Sequence, residues 1–165
     1  KVLGICGGYQ MLGETLNDPN HVESSQSKAK GLGLLAMSTT FFDDKTLRHV
    51  TGTSSFGAKV RAYEMHQGQS TGEALNNAWL SLKDKAGNVY EEGAQSCDGQ
   101  VLGTYLHGLF DEPSMLNALL QWAGKTTTQQ FDYAAFKEQE FNRLADVVEA
   151  AWPIENIIQL LEQKT

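Results

Sequence analysis

Apolar and polar positions change period along this chain, and each change marks an element. Lys1-Val2-Leu3-Gly4-Ile5 is a short apolar, β-prone run that turns at Cys6-Gly7-Gly8. Met11, Leu12, Thr15 and Leu16 then fall at helical spacing, which predicts strand, tight turn, helix. Residues 17–30 are polar, hold Pro19 and several Ser, and read as a loop. Residues 31–35 lead into a strand over 37–42, rich in β-branched and aromatic side chains. Residues 43–55 read as a charged and polar connection. A strand over 59–66, with Val60, Ala62 and Met65 alternating, ends in His66-Gln67-Gly68. Short strands are expected at Trp79-Leu80-Ser81-Leu82 and after Gly87-Asn88. Asp98-Gly99 predicts a two-residue hairpin turn, followed by an apolar strand over 100–106 that delivers His107.

The rest of the chain has helical period. Leu116, Leu119, Leu120 and Ala123 form one stripe, opened by Asp111-Glu112-Pro113 and closed by Gly124. Phe141, Leu144, Val148 and Ala151 form a second, stopped by Pro153. Ile154, Ile157, Ile158 and Leu161 form a third. Strands alternating with helices and then a helical end predict α/β layers around a mixed sheet. A buried parallel strand at the very start needs flanking strands. The chain is therefore expected to be a piece of a longer polypeptide, cut before a central strand.

Composition narrows the function classes. The 165 residues suit one domain with a real core, and 41% hydrophobic with 20% charged residues is globular composition. The net charge of −7 leaves no excess of cations for a phosphate backbone. The longest apolar uncharged stretch, residues 31–42, is too short to span a bilayer. Two cysteines exclude a disulfide-stapled scaffold and a four-cysteine zinc site. They fit a reducing compartment, and with no secretory signal the expected location is cytoplasmic.

The chemistry concentrates at Gly4-Ile5-Cys6-Gly7-Gly8-Tyr9-Gln10, which has the form of a nucleophile elbow on a strand-to-helix turn. Backbone N–H groups at the helix start favour the thiolate, and that of Gly7 can receive an oxyanion. The other reading of Cys6 is a small buried core residue. His107, at the end of an apolar strand, supplies the partner base that favours Cys–His catalysis, because strand ends converge on the ligand crevice of a parallel sheet. Tyr63-Glu64-Met65-His66-Gln67-Gly68 ends another strand. Its residues either act in the site or are solvated strand-end groups. His21 and His49 read as surface residues, and Cys97 as structural.

The elbow, extended to Met11-Leu12-Gly13, resembles the nucleophile segment of class I, triad-type glutamine amidotransferases. The 63–68 segment and Gly103-Thr104-Tyr105-Leu106-His107-Gly108-Leu109-Phe110 are similar to the cobyric acid synthase and cobyrinic acid diamide synthase branch. Phe141-Asn142-Arg143-Leu144-Ala145-Asp146 and the Ile-rich tail resemble the end of cobyric acid synthases. The resemblance implies a flavodoxin-like, three-layer α/β glutaminase domain over residues 1–165. It would lack its first strands and carry a mixed, mostly parallel sheet. An upstream P-loop synthetase domain, not present in this chain, would bind ATP, Mg and the corrinoid. No Gly-x4-Gly-Lys-Ser/Thr segment occurs here. The implied reaction takes ammonia from glutamine and, with ATP, amidates four side-chain carboxylates of adenosylcobyrinic acid a,c-diamide in cobalamin synthesis.

By the same resemblance Cys6 is the nucleophile and His107 the general base. The Gly7 N–H is half of the oxyanion hole, and Gln10 contacts glutamine. The His66-Gln67-Gly68 backbone holds the substrate's α-groups. No metal or cofactor is expected in this domain, and its partners are glutamine and its own synthetase domain. Ordinary class I members carry a Glu two residues after the His; here that position is Leu109, as in this branch. Asp111, Glu64, a backbone carbonyl or water remain as orienters of His107. The other oxyanion donor lies upstream in the family, so the isolated chain is expected to hydrolyse glutamine weakly or not at all. Alternatives are a cobyrinic acid a,c-diamide synthase glutaminase domain, a non-catalytic amidotransferase-like binding module, and a cysteine hydrolase of other amides or esters.

Overall fold

Two apolar runs about a hundred residues apart in sequence lie side by side in the computed structural model, which describes residues 1–125 and 132–162. The chain divides into two units, Lys1–Gln129 and Gln130–Thr165. In the first, the elements run β1 (Val2–Ile5), α1 (Gly7–Leu12), β2 (Thr15–Asn17), β3 (Lys28–Lys30), β4 (Ser38–Ser54), β5 (Lys59–Thr71), β6 (Leu80–Asp84), β7 (Val89–Glu92), β8 (Ala94–Gln95), β9 (Val101–Thr104), β10 (Leu106–His107) and α2 (Pro113–Trp122). A small sheet has the order β1-β9-β8, with Val2 opposite Val101 and Ile5 opposite Thr104. A larger sheet has the order β10-β5-β4-β2-β3, with β6 also pairing β4 and β7 pairing β6.

The mixed α/β architecture matches the expectation, but the mostly parallel sheet does not. Among the described residues only β1 with β9 and β2 with β4 pair in parallel; the other six pairings are antiparallel. The cause is connection length. Only residues 55–58 join β4 to β5, and only 85–88 join β6 to β7. Four residues close a hairpin and cannot make the crossover a parallel pair needs.

The polar stretch over 43–55, read as a connection, is most of β4. Thr46, Arg48, Val50, Gly52 and Ser54 alternate inward while Leu47, His49, Thr51 and Thr53 are exposed. The alternation was hidden because Thr46 and Arg48 face a polar cavity rather than hydrocarbon. The first helix is shorter than its apolar spacing predicts. It ends at Leu12, and Thr15 and Leu16 pair with Ser38 and Thr39 as strand. Part of the 17–30 loop is β3. The Asp98-Gly99 hairpin has a longer loop than two residues, closed by the Ser96 N–H on the Val101 carbonyl. In α2 the buried stripe is Met115 and Leu119 flanked by Ala118 and Trp122, one position round from the stripe chosen. Both stripes satisfy helical spacing, and only packing selects between them.

The core has two clusters. Val50, Val60, Trp79, Leu80, Leu82, Leu102, Leu106, Leu109, Met115 and Leu119 belong to one; Tyr9, Leu12, Leu35, Met37, Ala94, Val101 and Tyr105 belong to the other. Gly103 of β9 lies against the Tyr9 ring, where an added Cβ would clash with Tyr9 Cδ2. Tyr9 cannot simply swing away, since it packs edge-on against Tyr105 at 5.0 Å. Gly103→Ala is therefore expected to cost about 3 kcal/mol, read as a fall in the urea midpoint without a change in slope.

In the second unit, α3 (Tyr133–Ala151) starts with the Asp132 carboxylate accepting from the Ala135 N–H, and Pro153 separates it from α4 (Ile154–Glu162). Phe141, Leu144 and Val148 share one face of α3 and are exposed. Of the third predicted stripe, the side chains of Ile157 and Leu161 lie outside the described residues. No helix among the described residues is long and apolar enough to cross a membrane.

Candidate active site

Cys6 occupies the one-residue turn between β1 and α1 with φ 52° and ψ −115°. A positive φ at a residue with a Cβ is strained, typically by about 1–3 kcal/mol, and persists only where neighbours over-determine it. Here the Cys6 N–H donates to the Thr104 carbonyl at 2.8 Å, and its own carbonyl accepts from the Gln10 N–H at 3.1 Å. The half-buried thiol donates to the Met65 carbonyl of β5 at 3.4 Å. A Cβ on Gly7 or Gly8 would meet nothing within 4 Å, so that side of the turn is open. The crowded glycine is Gly4, packed against Leu12 and the Gly8 carbonyl.

On α1, Gln10 faces β5. It is buried, and its Nε2 donates to the Gln67 carbonyl at 2.9 Å. Cys6 and Gln10 thus meet two carbonyls of one strand, two residues apart.

His107 reaches the same strand by backbone pairing. The extended segment from Val101 first pairs with β1, leaves the small sheet at Tyr105, and joins β5 as β10 with His107 opposite Tyr63. The imidazole stacks on the Tyr63 ring at 5.2 Å and 11°. Its Nε2 is buried and has no hydrogen-bond partner among the described residues. The register opposite Ile5 is Thr104, so His107 stands three residues further along the segment that flanks the elbow. Cys6 and His107, a hundred and one residues apart in sequence, both converge on residues 63–65 of β5.

Glu64 and His66 are not solvated strand-end groups. His66 Nε2 lies 2.7 Å from Glu64 Oε1, its Nδ1 lies 3.0 Å from the Gly68 carbonyl, and its face stacks on Tyr105 at 3.7 Å. Both ring nitrogens face acceptors, so both bonds form together only on the doubly protonated ring. Gly68 presents its carbonyl to that ring at φ +86°, a conformation that favours glycine. The other oxygen of Glu64 accepts from Arg48 Nε at 2.7 Å and from the Tyr90 hydroxyl at 2.9 Å. Burial alone would raise the Glu64 pKa, but the bonds from His66, Arg48 and Tyr90 outweigh it and hold the carboxyl down to about 2. Glu64 is thereby committed to His66 and Arg48 rather than to His107. Asp111 lies in the short 3₁₀ turn Leu109–Asp111 and is exposed.

Glu92 was not singled out in the sequence, where it falls at the end of the short strand expected after Gly87-Asn88. It is buried at the end of β7, and its oxygens accept from Thr104 Oγ1 at 2.5 Å and from the Tyr105 N–H at 2.8 Å. Burial raises its pKa to about 7 against these two bonds. Tyr9, beside it, has a buried hydroxyl with no partner among the described residues, and burial pushes its phenol up. His21 and His49 are exposed as expected, and Cys97 is exposed in the β8–β9 loop. Among the described residues no group of three or more His, Cys, Asp or Glu side chains is placed to hold a metal ion.

Fold and site together define a mixed α/β protein whose strained cysteine elbow faces the strand that a histidine-bearing neighbour also joins. Residues 1–115, most of the chain, match the family model of the CobB/CobQ-like glutamine amidotransferase domain. The chain belongs to that family, and the match supports a glutaminase role in amidation. Cys6, Gln10, His66, Gly68 and His107 all fall within the matched residues.

Proposed function

We propose that this chain is the glutaminase part of a cobyric acid synthase, supplying ammonia for amidation of adenosylcobyrinic acid a,c-diamide. The observation that carries the glutaminase reading is the convergence of the Cys6 thiol and the His107 strand on adjacent residues of β5. The tail motif over 141–146 and the Ile-rich end favour the cobyric acid synthase branch. In this reading the domain is cytoplasmic and completes a flavodoxin-like layering with further strands. It works beside a P-loop synthetase domain that binds ATP and Mg.

The chemistry follows from the groups present. His107 takes the thiol proton as the Cys6 sulfur attacks the side-chain amide carbon of glutamine. The developing oxyanion sits on the open side of the turn, where the Gly7 N–H can donate to it. His107 returns the proton to the departing nitrogen, ammonia leaves, and a γ-glutamyl thioester remains. Water deprotonated by His107 attacks the thioester and releases glutamate. The backbone from His66 to Gly68 receives the substrate's α-groups, and Gln10 secures that segment through Gln67.

In the complete polypeptide, a diazoketone analogue of glutamine should alkylate Cys6, and excess glutamine should protect it. Mass spectrometry that finds no adduct on Cys6, or one that glutamine does not suppress, would overturn the glutaminase reading. The branch is tested by product: four glutamine-dependent amidations of adenosylcobyrinic acid a,c-diamide are expected. Turnover of the precursor not yet amidated at its a and c carboxylates would instead point to a diamide synthase.

A further inference from the structure

We propose that Glu92 is a positioning residue for the Cys6–His107 pair, fixing the Thr104–Tyr105 crossover from which both are placed. The inference rests on the glutaminase reading of that pair. At the crossover the chain leaves the small sheet after Thr104 and joins β5 at Leu106. Two backbone N–H groups in the switch are satisfied by side chains instead of a strand partner. The Tyr105 N–H donates to Glu92 Oε1 at 2.8 Å. The Leu106 N–H donates to Thr104 Oγ1 at 3.0 Å, and that hydroxyl in turn donates to Glu92 Oε2. One carboxylate thus takes the first bond directly and orients the hydroxyl that takes the second.

What depends on the crossover is the site. The Thr104 carbonyl accepts the Cys6 N–H and so helps hold the strained elbow, and His107 lies two residues beyond Tyr105. Tyr105 is further pinned at its hydroxyl by Ser70 at 2.6 Å, which leaves its backbone end to Glu92. Glu92 also lines a cavity of about 480 Å³ with Tyr9, Tyr105, His66 and Ser70, through which it can exchange its proton.

The ionised carboxylate accepts both bonds. A protonated one donates to Thr104 Oγ1 instead of accepting from it, which leaves the Thr104 hydroxyl proton without its acceptor. Glutamine at this position does the same permanently with its NH₂ group. The groups facing Glu92 are Tyr9 on α1, Glu64 and His66 on β5, Tyr90 on β7, and Tyr105. None of them changes in Glu92→Gln. Wild type therefore resembles the glutamine variant at low pH and departs from it as Glu92 ionises, near pH 7.

The test uses the complete polypeptide and two folded variants, Glu92→Gln and Thr104→Val, with Thr104→Ser as the conservative control. A misplaced reacting pair costs rate rather than affinity, so kcat for glutamine should fall about 10- to 100-fold in both variants. KM should stay within about threefold, and Thr104→Ser should retain most of the rate. The wild-type to Glu92→Gln ratio of kcat should rise from near one at pH 6 to its full value at pH 8. The ratio isolates Glu92 because Cys6 and His107 are the same in both proteins. Unchanged kcat in both variants, a ratio independent of pH, or a change in KM alone overturns the inference while leaving the glutaminase reading intact. Wild type without glutamine-protected labelling of Cys6 overturns both.

Discussion

Cys6→Ala should remove glutamine hydrolysis, by about 10⁴-fold or more in kcat, because the thioester route loses the atom on which it is built. Cys6→Ser should be nearly as poor, since a hydroxyl with the same partner base is a far weaker nucleophile than a thiol. His107→Asn should lose about 10³-fold while glutamine still binds, because proton transfer both to and from the imidazole is gone. Stability separates these variants in a way that activity does not. Alanine keeps the Cβ and hence the strain at φ 52°. Glycine relieves it, so Cys6→Gly should be inactive yet more stable than Cys6→Ala by about 1 kcal/mol in urea titrations. Equal midpoints for the two would mean that the elbow is not strained.

Glu64→Gln should destabilise the fold by about 3 kcal/mol at neutral pH. The ionised carboxylate meets Arg48, His66 and Tyr90 at once, and an amide removes the charge that faces the Arg48 guanidinium and leaves one acceptor oxygen in place of two. The size follows from a carboxyl held at about 2 against an ordinary 4.5, each unit being about 1.4 kcal/mol. The folded pKa is depressed, so this stability is present above about pH 4.5 and lost as pH falls toward 2. Glu92 acts with the opposite sign. Its folded pKa is raised to about 7, so its contribution is complete below about 4.5 and lost as pH rises through 7. Thermal melts from pH 3 to 8 should therefore show wild type most stable near pH 5. Glu64→Gln should flatten the acid limb, and Glu92→Gln the limb between pH 5 and 8. An unchanged acid limb in Glu64→Gln would show that the network does not hold the carboxylate as described.

The candidate site was legible in sequence to the extent that its signals are local. Gly-Ile-Cys-Gly-Gly forces a turn between an apolar strand and a helix, and the apolar run over 100–106 could deliver His107 to a strand end. The 63–68 segment was read with two alternatives open. Its backbone carbonyls do face Cys6 and Gln10, but Glu64 and His66 are buried and bonded to each other rather than to His107. Nothing within a few residues of Glu64 announces Arg48 or Tyr90, its two distant partners. Glu92 was missed for the same reason: its ligands, Thr104 and Tyr105, come from a strand reached only after the β8–β9 hairpin.

By itself the sequence determined the elbow and the helix limits at Pro113, Gly124 and Pro153. These act through dihedral restriction, which operates within a few residues. Tertiary structure alone decided that the polar stretch over 43–54 is a strand, which face of α2 is buried, and which carboxylate each cation meets. Those outcomes depend on what lies across a sheet edge or a cavity. A polar residue facing a polar cavity carries no hydrophobic period to mark it.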